Sequence, residues 1–183
     1  MTKFTLQTDR LTLSPVTKAD AESLFPHLSN PEIPKLMSWD AHTSLEQTQN
    51  FCKNLENQFE LGSAINWVIR QENQVCGLFG LIAIKRTHRS LIYDKAELAY
   101  WCAPEFQGQG IMKESGFAVL EFCFTQLNLN KLMVGHHFDN QASKRLILAL
   151  EFQFHYHEKR AFKKHGKWID CDFCQLFNPN YAD

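Results

Sequence analysis

Alternating apolar and polar positions open the chain, and residues 8–15 predict a first strand that ends at Pro15. Apolar positions at helical spacing then predict two amphipathic helices, over residues 17–28 and 44–62. Both begin at residue types that cap helices, which strengthens the assignment of their starts. Two prolines separate the helices, so we expect irregular backbone over residues 35–44.

The rest of the chain predicts six more strands and two more helices. In order, these are strands over residues 64–70, 75–86 and 91–101, a helix over 110–127, a strand over 131–135, a helix over 141–150, and strands over 152–162 and 167–177. Phe152 and Phe154 are predicted to lie in the core. About seven strands and four helices indicate a mixed sheet with helices on its faces, an α/β (α+β) fold. Residues 1–183 contain no repeat or linker, so we expect a single domain.

Composition narrows the class of protein. Hydrophobic residues make up 44% of the chain and include 15 Phe and 4 Trp, so the core or a pocket is aromatic-rich. A formal net charge of −1 gives no electrostatic reason to expect a nucleic acid or an anionic membrane as partner. No apolar run approaches the roughly 20 residues needed to span a bilayer, and residues 1–7 contain no apolar h-region, so we expect no signal peptide. We therefore expect a cytoplasmic protein.

The cysteines and histidines do not predict a metal site. Six cysteines are scattered through apolar segments, which is typical of buried, reduced thiols. Cys171 and Cys174 form a C-x-x-C in a predicted strand, where residues three apart point to opposite faces. His136, His137, His155 and His157 lack metal-ligand spacing on a helix, and we interpret them as strand-end or surface residues.

The most informative stretch is residues 102–114, where a strand, a tight glycine loop and a helix follow one another. Gly108 and Gly110 allow the backbone to turn sharply and to approach a ligand closely. The helix that follows presents free N–H groups and a positive dipole end, which suit an anion such as a phosphate. A dinucleotide-binding fingerprint is disfavoured because position 113 is Lys113, not glycine, and no Gly-Lys-Ser/Thr forms a P-loop.

Several motifs together carry a resemblance to a known family. They are Thr8-Asp9-Arg10-Leu11-Thr12-Leu13, Trp39-x-x-His42-Thr43-Ser44, Ala96-Glu97-Leu98-x-Tyr100-Trp101, Gln107-Gly108-Gln109-Gly110-Ile111, Asn140-Gln141-Ala142-Ser143-Lys144-Arg145 and Gly166-Lys167-Trp168-Ile169-Asp170. The set, together with the element order, resembles the GNAT superfamily of N-acetyltransferases, and within it the RimJ/RimL branch that acetylates ribosomal proteins. The resemblance implies a twisted, mostly antiparallel sheet, acetyl-CoA as cofactor and no metal.

The resemblance also assigns cofactor contacts. The cofactor-binding residues it implies are Tyr100, Trp101, Cys102, Gln107, Gly108, Gln109, Gly110, Ile111, Met112, Lys113, Asn140 and Ser143. Loop N–H groups would hold the pyrophosphate, and the end of the preceding strand would pair with the pantetheine arm. Met112 departs from the family, which usually has Gly or Ala there, but its side chain can turn away while its N–H faces the ligand.

For catalysis, Glu97 is the candidate general base, acting directly or through a water, and Ser143 is the candidate proton donor to the departing thiolate. The alternatives are a structural carboxylate for Glu97 and helix caps for Asn140 and Ser143. Trp39 and His42 are the candidate acceptor-binding residues by resemblance. An α-amine, with a pKa of about 7.7–8.0, needs less help from a base than a lysine with a pKa near 10.4.

The sequence predicts an acetyl-CoA-dependent N-acetyltransferase acting on a primary amine, with a protein or peptide N-terminus as the leading acceptor. Two alternatives stay open. One is a small-amine acetyltransferase for a polyamine, amino acid or aminoglycoside, and the other is a non-catalytic acyl-CoA-binding sensor. The chain is expected to be a monomer or a homodimer.

Overall fold

The structure, a computed structural model, describes residues 4–181, so both ends of the predicted domain lie outside the described residues. The described strands are β1 (Leu6–Gln7), β2 (Leu11–Pro15), β3 (Ile65–Gln71), β4 (Gln74–His88), β5 (Leu91–Cys102), β6 (Lys131–His137), β7 (Gln153–Lys164) and β8 (Lys167–Phe177). The α-helices are α1 (Ala21–Leu28), α2 (Leu45–Glu60), α3 (Ile111–Glu121) and α4 (Gln141–Ala149). The α/β fold class is confirmed. The additional strand, β1, is too short to show an alternating pattern.

One sheet contains all of these strands, in the order β1-β2-β3-β4-β5-β6-β8-β7. Neighbouring strands are antiparallel except β5 and β6, which are parallel. A parallel pair needs a crossover connection, and α3 supplies it here. The single parallel pair lies in the middle of the sheet, and the glycine loop and α3 connect its two strands.

The helices cover both faces of the sheet. On one face, α3 and α4 contribute Ile111, Val119 and Ile147 to the larger apolar cluster. On the other face, α1 and α2 contribute a second cluster that includes Leu24 and Cys52. Burial of these two clusters holds the strands and helices in a fixed arrangement around the middle of the sheet.

Local capping explains where the helices begin. The Ser44 Oγ accepts a hydrogen bond from the Gln47 N–H at 3.2 Å, as predicted for the start of α2. The Gln47 side chain accepts from the Thr43 N–H at 2.9 Å, not from Ser44 as in a standard capping box. The predicted helix over 110–127 is α3 followed by a short π-helix, Phe122–Gln126.

The structure differs from two of the expectations about burial. Phe152 is buried, as predicted, but Phe154 is 62% exposed, so the core prediction for Phe154 is wrong. It lies on the edge strand β7, where residues 153–160 are all exposed. His136 does lie at a strand end, but it is buried, not on the surface. No helix in the described part of the chain is long and apolar enough to cross a membrane.

Candidate functional site

The middle of the sheet opens where β5 and β6 separate. Their parallel pairing runs from Lys95 and Lys131 to Leu98 and Val134. Both strands continue past that point, β5 to Cys102 and β6 to His137, without pairing to each other. The separated strands leave a wedge whose β5 edge offers backbone groups to an extended ligand.

A groove of about 800 Å³ runs from this wedge to the glycine loop, and we call it the loop groove. Its lining includes Glu32, Ile33, Lys35, Leu36, Met37, Tyr100, Trp101, Cys102, Pro104, Phe106, Gln107, Gly108, Gly110, Ile111, Met112, Lys113, Asn140, Ala142, Ser143, Arg145, Leu146 and Ala149. Of the twelve predicted cofactor-binding residues, Gln109 alone is missing from this lining. Its side chain donates to the Glu105 carbonyl at 2.8 Å.

The loop backbone has the geometry of an anion site. Gly108 and Gly110 have φ of 74° and 78°, the left-handed region that disfavours other residues. The Glu114 N–H donates to the Gly110 carbonyl at 3.0 Å, which closes the first turn of α3. Within residues 4–181, the N–H groups of residues 111–113 have no hydrogen-bond acceptor. Three donors at a helix N-terminus are therefore available to a ligand in the groove.

Arg10 connects the glycine loop to the first turn of α3 through its side chain. The Arg10 Nε donates to Glu114 Oε2 at 2.8 Å, and an Arg10 Nη donates to the Gln109 carbonyl at 3.3 Å. The Thr8 hydroxyl donates to Glu114 Oε1 at 2.5 Å. Burial raises the pKa of Glu114, but the hydrogen bonds from Thr8 and Arg10 outweigh it, and the net pKa is lowered. Arg10 thus neutralises the one carboxylate in the first turn of α3.

Met112, the departure from the family pattern, is partly buried and packs against the larger apolar cluster while also lining the groove. Lys113 is exposed at the groove and supplies a positive charge there. The Gln107 side-chain amide donates to the Cys102 carbonyl at 3.3 Å, so it contacts the end of β5 directly.

A second cavity, of about 600 Å³, lies against the sheet on the other side of the wedge, and we call it the sheet cavity. Residues shared with the loop groove are Leu36, Met37, Tyr100, Trp101, Asn140 and Ser143. The two spaces therefore meet at the wedge. A ligand extending along the loop groove would reach a second molecule bound in the sheet cavity at that junction.

Ser143 lies at this junction and is held by two partners. Its Oγ is 2.8 Å from the Tyr100 hydroxyl oxygen, and its N–H donates to Asn140 Oδ1 at 3.0 Å. Asn140 is therefore a helix cap, as the structural alternative predicted, and it lines both cavities as well. Burial raises the pKa of Tyr100 to about 12, so its hydroxyl keeps its proton at neutral pH.

Two carboxylates line the sheet cavity. Glu97, the predicted base, extends from β5 and is exposed to solvent. Glu158, on β7, lines the same cavity and was not predicted. His136 also lines it, and its Nδ1 donates to the His137 carbonyl at 2.8 Å, which leaves Nε2 without its proton in the neutral ring. Only the pairing of distant strands brings these side chains together.

Trp39 and His42, the predicted acceptor-binding residues, line the sheet cavity with ring centroids 6.2 Å apart. The His42 Nδ1 is 2.8 Å from the Thr48 hydroxyl, and burial lowers the pKa of His42, which favours the neutral ring. Both residues belong to the irregular segment between α1 and α2, which forms a wall of the cavity.

One lysine fastens this wall. The Lys164 Nζ, at the end of β7, donates to the backbone carbonyls of Pro34, Met37 and Trp39 at 2.7, 2.8 and 2.8 Å. Asp40 lies 3.5 Å from the same nitrogen, and the Lys164 side chain is 16% exposed. All three ammonium donors are thus used on one short segment.

The cysteine pair and the histidines form no metal centre in the described ranges. No group of three or more His, Cys, Asp or Glu side chains among residues 4–181 could hold a metal ion. Cys171 and Cys174 are free and buried, and burial raises the pKa of both thiols.

Comparison with known proteins agrees with this geometry. The acetyltransferase (GNAT) domain family matches residues 10–153. The uncharacterized N-acetyltransferase YoaA of Bacillus subtilis is 31% identical over 95% of this chain and 97% of its own length. A spermidine N(1)-acetyltransferase of Escherichia coli K12 is 23% identical over 75% of this chain and 69% of its own length.

Among solved structures, RimL, a ribosomal L7/L12 alpha-N-protein acetyltransferase crystallised with coenzyme A, superposes with a TM-score of 0.87. It is 22% identical and covers 94% of this chain and 97% of its own. At that identity the likeness shows the shared fold.

Proposed function

The chain belongs to the GNAT acetyltransferase family and is an acetyl-CoA-dependent N-acetyltransferase, and we propose that its acceptor is the α-amine of a protein or peptide N-terminus. The observation that carries the proposal is the junction of the loop groove with a sheet cavity that contains two carboxylates and, among its described lining residues, no lysine or arginine. Such a cavity favours a cationic amine over an anionic acceptor.

The charge of the sheet cavity bears on each acceptor class. A free amino acid carries a carboxylate next to its amine, and that carboxylate would be buried without a cationic partner. A peptide N-terminus carries a neutral carbonyl at the same position. The fold similarity to RimL, which acts on an N-terminal α-amine, supports the peptide acceptor.

A polyamine is the second candidate because Glu97 and Glu158 both line the cavity. Two carboxylates are well suited to a dication, and one relative is a spermidine N(1)-acetyltransferase. A polyamine has no carbonyl next to its amine, so it needs no hydrogen-bond donor from the cavity, whereas a peptide N-terminus can accept one.

The residues of the loop groove fit coenzyme A. The free N–H groups of residues 111–113 would hold the pyrophosphate, and Lys113 and Arg145 would add positive charge. The unpaired edge of β5 at Tyr100, Trp101 and Cys102 would bond the pantetheine arm. Acetyl-CoA, when bound, supplies the thioester acetyl group and leaves as coenzyme A.

The side chains at the junction would move two protons. Glu97 would take a proton from the ammonium of the acceptor, directly or through a water, so that the free amine can attack. The Ser143 Oγ would give its proton to the sulfur as the carbon–sulfur bond breaks, and the second proton that the acceptor nitrogen loses on becoming an amide would replace it, directly or through a water. The Tyr100 hydroxyl, protonated at neutral pH, would donate to the Ser143 Oγ and leave the serine proton directed at the groove.

Trp39 and His42 would form the wall against which the acceptor packs. Holding both reactants at one junction lowers the entropic part of the barrier. Because His42 is neutral, it would not repel a cationic amine.

A side-by-side acceptor screen tests the proposal. Release of free coenzyme A thiol is followed with acetyl-CoA and, in parallel, N-terminal peptides, spermidine and free amino acids. We expect the highest kcat/KM for peptides whose α-amine is free, and no turnover when that amine is blocked. A higher kcat/KM for spermidine than for every peptide would establish the second candidate instead.

A further inference from the structure

One buried polar group in the sheet cavity has no partner. Asn66, on β3, lines the cavity and is 5% exposed. Its Nδ2 is enclosed and has no hydrogen-bond partner among residues 4–181. An unpaired buried donor is costly, so such groups in proteins usually serve a ligand, an ordered water or a functional strain.

The sheet provides room for this side chain. Asn66 pairs with Gly80 on β4, and Gly80 pairs with Ala99 on β5. A Cβ on Gly80 would lie 2.5 Å from Asn66 Oδ1, so the asparagine side chain lies across the glycine and extends towards β5. Glycine weakens a strand interior, and its presence here marks this close approach.

The same row of residues leads to the predicted base. Glu97 lies two residues before Ala99 on β5, and side chains two apart in a strand share a face. Two strand spacings, about 10 Å, separate Asn66 from Ala99. One amino-acid residue of an acceptor, together with the two side chains, spans that gap.

We propose that the Asn66 side-chain amide is the subsite that binds the carbonyl oxygen of the acceptor's first residue and so selects an amine that bears a carbonyl next to it. The inference rests on the proposed N-terminal acceptor. The terminal torsion of asparagine is soft, so rotation of the amide can turn Nδ2 towards the cavity that this residue lines. A peptide N-terminus then places its α-amine, three bonds from that oxygen, towards Glu97.

This subsite separates the candidate acceptors. A polyamine has no oxygen for Nδ2 to bind, and it would leave the amide unpaired. The neutral amide donor is also matched to a carbonyl and not to a carboxylate, because the described lining residues of the cavity include no lysine or arginine.

The test pairs an enzyme change with a substrate change. Asn66→Leu keeps the side-chain shape and removes the donor, and Asn54→Leu, at an exposed position of α2, is the matched control. Alaninamide carries the carbonyl, while isopropylamine replaces the carboxamide with a methyl group. For each acceptor, kcat/KM of the variant is divided by kcat/KM of the wild type, so the pKa of that acceptor's amine cancels from the ratio.

We expect Asn66→Leu to lower kcat/KM for alaninamide and for peptides about fivefold to tenfold, and to change that for isopropylamine less than about twofold. The thermal midpoint of Asn66→Leu should equal or exceed that of the wild type, because an unpaired donor is removed. Equal losses on both acceptors, or no loss on alaninamide, would overturn the inference.

A binding readout on the wild-type protein keeps the test independent of the variant. With coenzyme A bound, alaninamide should shift the side-chain amide resonances of Asn66, and isopropylamine should not. The absence of any alaninamide shift means that the amide serves at most a water, and this contradicts the inference.

If the wild type acetylates peptides but Asn66→Leu changes kcat/KM equally for alaninamide and isopropylamine, the subsite alone fails. If amines without a carbonyl are the better acceptors for the wild type, the proposed acceptor fails as well.

Discussion

Replacing Lys164 by methionine tests whether the wall of the sheet cavity is held by a single side chain. Methionine keeps most of the length and removes the charge. The change deletes three hydrogen bonds from one ammonium to the carbonyls of Pro34, Met37 and Trp39. No other described side chain donates to these three carbonyls, so the segment keeps only the exposed contact between Asp40 and His165, 3.0 Å long, with the end of the hairpin.

The expected loss in the free energy of unfolding follows from those three hydrogen bonds. A hydrogen bond to a charged group contributes about 1.5–3 kcal/mol, but the freed carbonyls lie on a partly exposed segment and regain water. We therefore expect a loss of about 2–3 kcal/mol in the free energy of unfolding, well below the sum of three bonds. For a protein of this size, that corresponds to a fall in Tm of about 4–12 °C.

Lys164→Met should also weaken the binding of the acceptor. Leu36, Met37, Ser38 and Trp39 line the sheet cavity, so a loosened segment lowers the fraction of molecules that can bind the acceptor. We expect the KM for the acceptor to rise up to about tenfold, and to rise more than the KM for acetyl-CoA. Steady-state kinetics with each substrate varied in turn, together with thermal unfolding, measures both effects.

The neighbouring lysine provides the control. Lys163 is exposed and lies 5.8 Å from the Trp168 ring, so Lys163→Met removes the same charge without touching the wall. Lys164→Arg should restore stability only in part, because a planar guanidinium cannot direct three donors as an ammonium does. If Lys164→Met and Lys163→Met have the same Tm and the same acceptor KM, the wall does not depend on Lys164.

Three further predictions concern the loop and the base. Gly110→Asp should weaken the binding of coenzyme A, measured by calorimetry, at least tenfold, because the new carboxylate would repel the pyrophosphate at the start of α3. Gly62→Asp, at another glycine of positive φ that lies away from the groove, should leave the affinity unchanged. Equal losses of affinity in both variants would show that backbone strain alone is responsible. Glu97→Gln should lower kcat at neutral pH about 10²-fold and lose less at high pH, and an unmoved pH profile would exclude Glu97 as the base. The lowered pKa of Glu114 stabilises the fold above the ordinary glutamate pKa of about 4.3, and this contribution disappears as the pH falls through the folded pKa. Glu114→Gln should therefore be less stable than the wild type at neutral pH and approach it in acid, and a stability difference that does not change with pH would refute this assignment.

Much of the local structure could be predicted because its causes are local. Helical and strand periodicity depend on neighbouring residues, so the four helices and the seven longer strands were identified within a few positions. The glycine loop is similarly self-contained, since Gly108, Gly110 and the N–H groups that follow lie within a few residues. Its hydrogen-bond donors are the first N–H groups of α3, which lack a partner within the helix.

The sequence by itself thus determined the elements, the candidate anion site at the start of α3 and the family resemblance, because each depends on residues close together in the chain. The tertiary structure decided which strands pair, and with that everything that depends on register and edges. It placed Glu158 and Asn66 in the cavity with Glu97, exposed Phe154 on an edge strand, and brought Lys164 to a carbonyl 130 residues away. Long-range contacts of this kind arise from the packing of whole faces, which no short window of sequence contains.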